Sequence, residues 1–209
     1  MHEKVLPRGS REFLAKLESL TAPELDGWTL AGGTGLALQL GHRVSIDFDF
    51  FRIDGFSPDR LFRCLQNIGQ VEVLQEEDHT LTAIVAEVKV SFFTVADDFL
   101  FPTVPYSFFE IAGQRDIALM KLAAISGRGS RKDFIDLYTI LRGDLSLEEC
   151  FRRLPDKYGK GRFNTYHILK SLTYFDDAER EPMPQMLAPF DWGKCKAFFV
   201  REAHAIVLP

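Results

Sequence analysis

The chain is predicted to be α+β, a mixed sheet with flanking helices followed by a helical half. Three observations carry this. Apolar residues alternate at period two in several short runs between residues 28 and 95, with helical spacing between them. Near residues 102–115, around Pro102 and Pro105, alternation gives way to helical periodicity. No flexible linker separates the halves, so they are expected to pack together, as a core over 1–105 and a helical region over 106–209.

The elements follow in order. Phe13, Leu14, Leu17 and Leu20 sit at helical spacing over 10–20, with Ser10 as a candidate N-cap. Trp28 to Ala31 reads as a short strand, broken by Gly32-Gly33. Thr34 to Leu40 then reads as a short helix closed by Gly41. Val44 to Phe51 is predicted to be a strand, and Pro58 opens a helix over about 58–68. Further strands are expected at 71–74, 80–86 and 87–95. In the second half, helices are expected at 115–126, 131–141, 147–154, about 163–175 and about 191–206. Pro182, Pro184 and Pro189 make the stretch before the last one irregular.

Composition narrows the function classes. With 25 Lys and Arg against 30 Asp and Glu, the net charge is −5, which argues against a protein that coats nucleic acid by charge alone. It leaves open an enzyme acting on nucleotides. No apolar run approaches the roughly 18 residues of a membrane span, so no membrane partner is expected. Met1-His2-Glu3-Lys4 has no apolar signal stretch behind it. Cys64, Cys150 and Cys195 are odd in number and widely spaced, as in reduced thiols of a cytoplasmic protein; each also fits a small buried residue. The 19 Phe are in excess for this length. The pairs Phe92-Phe93, Phe108-Phe109 and Phe198-Phe199 fit core or subunit contact better than base-stacking platforms.

The chemistry concentrates in Gly32-Gly33-Thr34 and Ser45-Ile46-Asp47-Phe48-Asp49-Phe50-Phe51. On a strand, Ser45, Asp47 and Asp49 share one face, and Ile46, Phe48 and Phe50 share the other. At ~3.3 Å per residue the two carboxylates lie about 6.5–7 Å apart at Cα. Such a pair repels itself unless a cation or proton intervenes, and Mg²⁺ prefers oxygen ligands together with substrate phosphates. Alone, the same pattern also fits two solvated acids. The glycines allow close backbone approach, and the amides of the following helix favour phosphate. Thr34 fits either a phosphate contact or a simple helix cap. Together the two features place a phosphate cradle beside a metal site. His42 sits close to the acidic strand and is open to either a site or a core role, while the remaining histidines lack metal-ligand spacing.

The segment LAGGTGLALQLGHRVSIDFDFF, Leu30 to Phe51, resembles the nucleotidyltransferases of the AbiEii/AbiGii toxin family, in the polymerase-beta-like superfamily. Asp116 to Lys121 is similar to that family's Asp-to-Lys motif, and Arg128 to Leu137 to its basic K-D-x-x-D motif. The tail from Phe163 to Val200 also looks like that of short members. The resemblance implies a polymerase-beta-like core and an Mg²⁺-dependent transfer of NMP from an NTP to a hydroxyl acceptor. It implies catalytic roles for Asp47, Asp49 and Asp133, with Asp47 and Asp49 as metal ligands. It implies nucleotide binding by Gly32, Gly33, Thr34, Ser45, Lys121 and Lys132. It further implies a toxin-like role, with an RNA 3′ end such as that of tRNA as acceptor and a helix-turn-helix antitoxin as partner.

One position departs from the pattern. Active members of the superfamily carry a third carboxylate on a neighbouring strand, and Ser91 stands in that place, within Lys89-Val90-Ser91-Phe92-Phe93. Glu87 lies about 13 Å away along the strand, too far to replace it simply. The alternative function is therefore a non-catalytic nucleotide-binding or partner-binding protein with a degenerate site. If the acceptor is RNA, a narrow basic strip of Lys121, Arg128, Arg131 and Lys132 is expected on an acidic surface.

Overall fold

A computed structural model describes residues 1–96, 98–162 and 164–206. The chain folds as two compact units, Met1–Gly113 and Gln114–Pro209. The sequence places the division at 105, and the last eight residues of the first unit hold a strand that sequence reasoning missed.

The first unit is built on a seven-stranded mixed sheet. Its strands are β1 (Thr29–Leu30), β2 (Phe48–Arg52), β3 (Val71–Glu77), β4 (Thr80–Val85), β5 (Val88–Thr94), β6 (Val104–Tyr106) and β7 (Phe109–Ile111). They run in the order β3-β4-β5-β2-β1-β7-β6. Strand β2 is antiparallel to β1 and parallel to β5. Strand β6 is at the edge, where Pro105 forfeits no ladder bond on the solvent side; this is why a Pro-containing stretch is still a strand. Three helices accompany the sheet: α1 (Arg8–Ser19), α2 (Gly32–Leu40) and α3 (Pro58–Leu65).

Local chemistry sets the boundaries. Ser57 caps α3 by accepting from the Arg60 amide, with Pro58 in the first turn. Gly41 closes α2 in the left-handed conformation, with φ 65°. Helix α1 begins two residues before the expected cap: Pro7 takes that place, and Ser10 is buried inside the helix. Strand β2 is shorter than expected. Val44 to Asp47 lie outside it, and Ile46 is 51% exposed instead of packing beside Phe48 and Phe50.

Phe48 and Phe50 are buried on one face of β2, and Phe50 stands in register with Phe92 of β5. Their rings stack at 5.3 Å, while Phe13 and Phe109 close on Phe48 and Phe50 at 5.6 and 5.2 Å. Each such ring contributes roughly 1.5–3 kcal/mol by leaving water. In each adjacent Phe pair one ring (Phe92, Phe109, Phe199) is buried and its neighbour is half-buried.

The second unit is helical: α4 (Gln114–Arg128), α5 (Arg131–Leu141), α6 (Leu147–Tyr158), α7 (Thr165–Ser171), α8 (Asp176–Arg180) and α9 (Trp192–Ala205). Phe163, the expected start of one helix, lies outside the described residues. Helix α8 is too short to carry a periodic signal and was not expected. The Glu181 carboxylate after it accepts from the Arg131 amide and the Ser130 hydroxyl, both at 2.8 Å, and so caps α5 from a distance in sequence. Among the described residues Cys64, Cys150 and Cys195 are free and buried; burial pushes the Cys150 thiol up to about 12. Among the described residues no helix is long and apolar enough to cross a membrane.

Candidate active site

Gly32 and Asp49 meet in the first unit. Gly32 opens α2 with φ 62°, and a Cβ placed there would lie 2.8 Å from Asp49 Oδ2. Both the backbone angle and the neighbouring carboxylate therefore demand glycine. The Ala31 amide donates to the Asp49 carbonyl at 3.0 Å, which ties the helix entry to β2. By helix geometry the first-turn amides of α2 have no acceptor within their own helix. Gly32, Gly33 and Asp49 are all half-buried, so this corner is open to a ligand.

The preceding loop is held by polar contacts. Thr34 is 1% and Ser45 7% exposed. The Thr34 hydroxyl bonds to the Ser45 hydroxyl at 2.8 Å and donates to the Asp47 carbonyl. Arg43, also buried, donates to the Val44 carbonyl at 3.0 Å and to Ser45 Oγ at 3.4 Å. Thr34 and Ser45 are thus turned toward the loop that carries Asp47 rather than toward solvent, and Thr34 makes no side-chain cap to α2. These bonds bend Val44 to Asp47 away from the sheet. Asp47 is half-buried and lines a cavity of about 300 Å³ with Glu87 and Lys89. His42 is buried in the same loop.

Ser91 stands in register with Asp49 on the parallel neighbour β5. It is 3% exposed, so a buried hydroxyl stands beside Asp49 across the ladder. Among the described residues no group of three or more His, Cys, Asp or Glu is placed to hold a metal. Asp49 and Ser91 are brought together across the ladder, while Asp47 lies on the preceding loop. Sequence reasoning missed Phe51 and Phe93, which follow Asp49 and Ser91 on the same sheet face and stack at 5.2 Å. Their i, i+2 spacing from the acids is the signal that could have found them.

In the second unit the motif residues close on one another. Lys121 Nζ lies 2.7 Å from Asp133 Oδ1 and 2.6 Å from Asp136 Oδ2, with all three side chains at most 6% exposed. The Arg128 Nε reaches Asp133 Oδ2 at 2.7 Å. Burial alone would raise the Asp133 carboxyl, but Lys121 and Arg128 outweigh it and hold it below the usual range. Burial likewise opposes the charge of Lys121, and Asp136 and Asp133 overcome it and hold its ammonium above its usual value. Asp116 is used in a second buried pair, with Lys157 at 2.8 Å. Arg131 is also internal, donating to the Ala178 carbonyl at 2.7 Å. Of the expected basic strip, only Arg128 and Lys132 are exposed; Lys121 and Arg131 are buried by their partners.

The family model for the nucleotidyl transferase AbiEii toxin of type IV toxin–antitoxin systems matches residues 16–114, which span the GG turn, both acids and Ser91. A relative in Aquifex aeolicus (strain VF5), an uncharacterized protein, is 36% identical across 94% of this chain and 95% of its own length. MenT4, a nucleotidyltransferase toxin of Mycobacterium tuberculosis H37Rv, superposes with a TM-score of 0.56 at 17% identity, over 93% of this chain and 80% of its own. JHP933 from Helicobacter pylori superposes with a TM-score of 0.53 at 15% identity, over 98% and 89%. These two share the fold. The chain belongs to the AbiEii family of nucleotidyl transferase toxins.

Proposed function

We propose that this chain transfers a nucleoside monophosphate from an NTP to a hydroxyl acceptor in an Mg²⁺-dependent reaction. The observation that supports it is the packing of Gly32 against the Asp49 carboxylate, which sets a phosphate-binding helix entry directly beside an acid. When bound at Asp47 and Asp49, Mg²⁺ supplies positive charge against the α-phosphate and the departing pyrophosphate. The acceptor hydroxyl gives up its proton to solvent as its oxygen bonds to the α-phosphorus and the bond to pyrophosphate breaks. Gly32 and Gly33 let the backbone approach the phosphates. The Thr34–Ser45 bond and the Thr34 contact to the Asp47 carbonyl hold the acid loop in place. Asp133 stays ionised between Lys121 and Arg128, which suits a positioning role better than that of a general base. The acceptor of this reading is an RNA 3′ end, such as that of tRNA. The biological role is that of a cytoplasmic toxin held in check by a helix-turn-helix antitoxin.

Incubation with each labelled NTP, Mg²⁺ and total RNA tests the reading. Label should pass to one RNA class, and Asp49→Asn should lower transfer at least ~100-fold, the scale of losing one preorganised charge contact. Equal transfer by wild type and Asp49→Asn overturns it. Ser91 in the third-acid position favours one other reading, a protein that binds nucleotide without turning it over. Calorimetry showing tight binding of NTP with Mg²⁺, alongside no label transfer to any acceptor, would decide for that second reading.

A further inference from the structure

Helices α5 and α9 form a groove of about 470 Å³ within the second unit that nucleotidyl transfer, as proposed, does not use. It is lined by Tyr138, Arg142, Lys194, Ala197, Phe198 and Arg201. On α9, Lys194, Ala197, Phe198 and Arg201 fall at i, i+3, i+4 and i+7 and so share one face. The opposite face, Cys195, Phe199 and Ala203, is buried in the unit's own core. Tyr138 of α5 and Arg142, the residue that caps the C-terminus of that helix, complete the other wall.

Cations lie over the aromatic rings of both walls. The Arg142 guanidinium lies 5.9 Å from the Tyr138 ring centre, and that of Arg201 lies 5.3 Å from Phe198. The two rings meet edge to face at 5.2 Å. Glu202 takes Arg201 Nε and Nη2 at 3.0 and 2.7 Å and partly neutralises it. Arg142 and Lys194 are exposed and have no ion-pair partner among the described residues. A local positive charge on a chain of net −5, with aromatic faces beside it, departs from the rest of the composition. Carboxylates of an acidic protein would use the cations but have no need of the rings. Single-stranded polynucleotides use both, phosphates on the charges and bases on the ring faces.

We infer that the α5–α9 groove is a binding site for a single-stranded polyribonucleotide. The inference rests on the polynucleotide acceptor proposed above, and it moves the expected basic contact from Lys121 and Arg131, which are buried, to Arg142, Lys194 and Arg201.

Fluorescence anisotropy of the full chain with an end-labelled oligoribonucleotide, without NTP, tests it. At ~0.7 per phosphate contact on a single strand, the log–log salt slope should include about −2 from the groove. Combining Arg142→Ala, Lys194→Ala and Arg201→Ala should flatten the slope by about that amount and weaken binding at least about tenfold at low salt. Phe198→Leu keeps an apolar side chain but removes the ring, and should weaken the oligoribonucleotide at least about fivefold while leaving inorganic polyphosphate unaffected. Unchanged binding in the triple variant overturns the inference. So does poly-glutamate binding as tightly as RNA with the same sensitivity, which would mark the groove as a seat for an acidic protein. Asp49→Asn separates the two proposals, since it should abolish transfer and leave anisotropy intact. Intact RNA binding by the wild type with no transfer sinks the transferase alone. Undiminished RNA transfer by the triple variant sinks the groove alone.

Discussion

Asp49 in the sheet unit and Asp133 in the helical unit both lie in family motifs, yet their surroundings differ in kind. Asp49 is half-buried, faces a glycine backbone and has a neutral serine beside it in register. Asp133 is buried and receives a lysine and an arginine. The first sets a carboxylate at a half-buried corner against glycine backbone and a hydroxyl. The second closes its carboxylate between two cations in the interior. Residue type and spacing mark both acids as special, but burial decides which of them a ligand can reach. Substitutions at the two places should therefore fail in different ways: loss of stability in the helical unit, loss of nucleotide handling in the sheet.

The largest expected effect is on stability. Lys121→Met removes the buried ammonium that both Asp133 and Asp136 contact, leaving Asp133 with Arg128 alone of its two cations. Breaking a buried pair in this way costs roughly 3–5 kcal/mol, against about 0.5 kcal/mol or less for the exposed neighbour Lys132→Met. Urea unfolding of both variants checks this, and equal midpoints would erase the distinction between the two regions. The pH dependence has a definite sign. The Asp133 carboxyl is held low, so its contribution is complete above the unfolded value near ~3.9 and is lost as pH falls through the folded one. The Lys121 ammonium is held high, so its contribution is complete below about 10.4 and is lost as pH rises through its folded value. Lys121→Met should remove the alkaline edge and weaken the acid one.

Much of the sheet unit was legible in the sequence because its signals are local. Gly32-Gly33, the Phe48/Phe50 face and the placement of Ser91 opposite Asp49 all follow from spacing within one element or between two motif strands. Val44 to Asp47 misled, because the pattern of alternation continues there while Arg43, Ser45 and Thr34 draw the chain into a loop. The ion pairs of the helical unit were not legible. Lys121 meets Asp133 across a helix turn, and Asp116 meets Lys157 across 41 residues, so a sequence shows the charges but not their packing. On spacing alone Lys121 reads as part of a solvated face and Asp133 as an acid favoured in the first helical turn.

Ser91→Asp sharpens the comparison from the other side. It places a buried carboxylate beside that of Asp49, in register across the ladder. Without divalent metal it should lower stability by about 1–3 kcal/mol, the usual cost of an unsatisfied buried polar group. Millimolar Mg²⁺ should return part of that, because binding to the folded state alone stabilises it. Thermal melts with Mg²⁺ and with chelator read the difference, and a loss insensitive to metal would mean that this corner does not hold a cation. Gly32→Ala is smaller. The left-handed angle costs about 1–2 kcal/mol, and the added Cβ must displace the Asp49 carboxylate. Its melting point should fall modestly, and nucleotide affinity should fall with it; unchanged affinity would detach Gly32 from the site.

The smallest effect lies at the tip of the β4–β5 hairpin. Ala86 and Glu87 take φ values of 47° and 70° between the paired Val85 and Val88. A two-residue hairpin turn of this hand favours Asn-Gly, because both residues are left-handed. Ala and Glu hold the shape only under strain, and they line the same cavity as Asp47. Glu87→Gly should relieve the strain and raise stability by about 0.5 kcal/mol, since the gain in the turn is partly offset by a freer unfolded chain. Glu87 lies in the turn before β5 and not on the strand beside Ser91, so affinity for NTP with Mg²⁺ should stay within about threefold of wild type. A stable Glu87→Gly that binds nucleotide poorly would bring Glu87 into the acid site from the Asp47 side, and the open region would then have its third carboxylate after all.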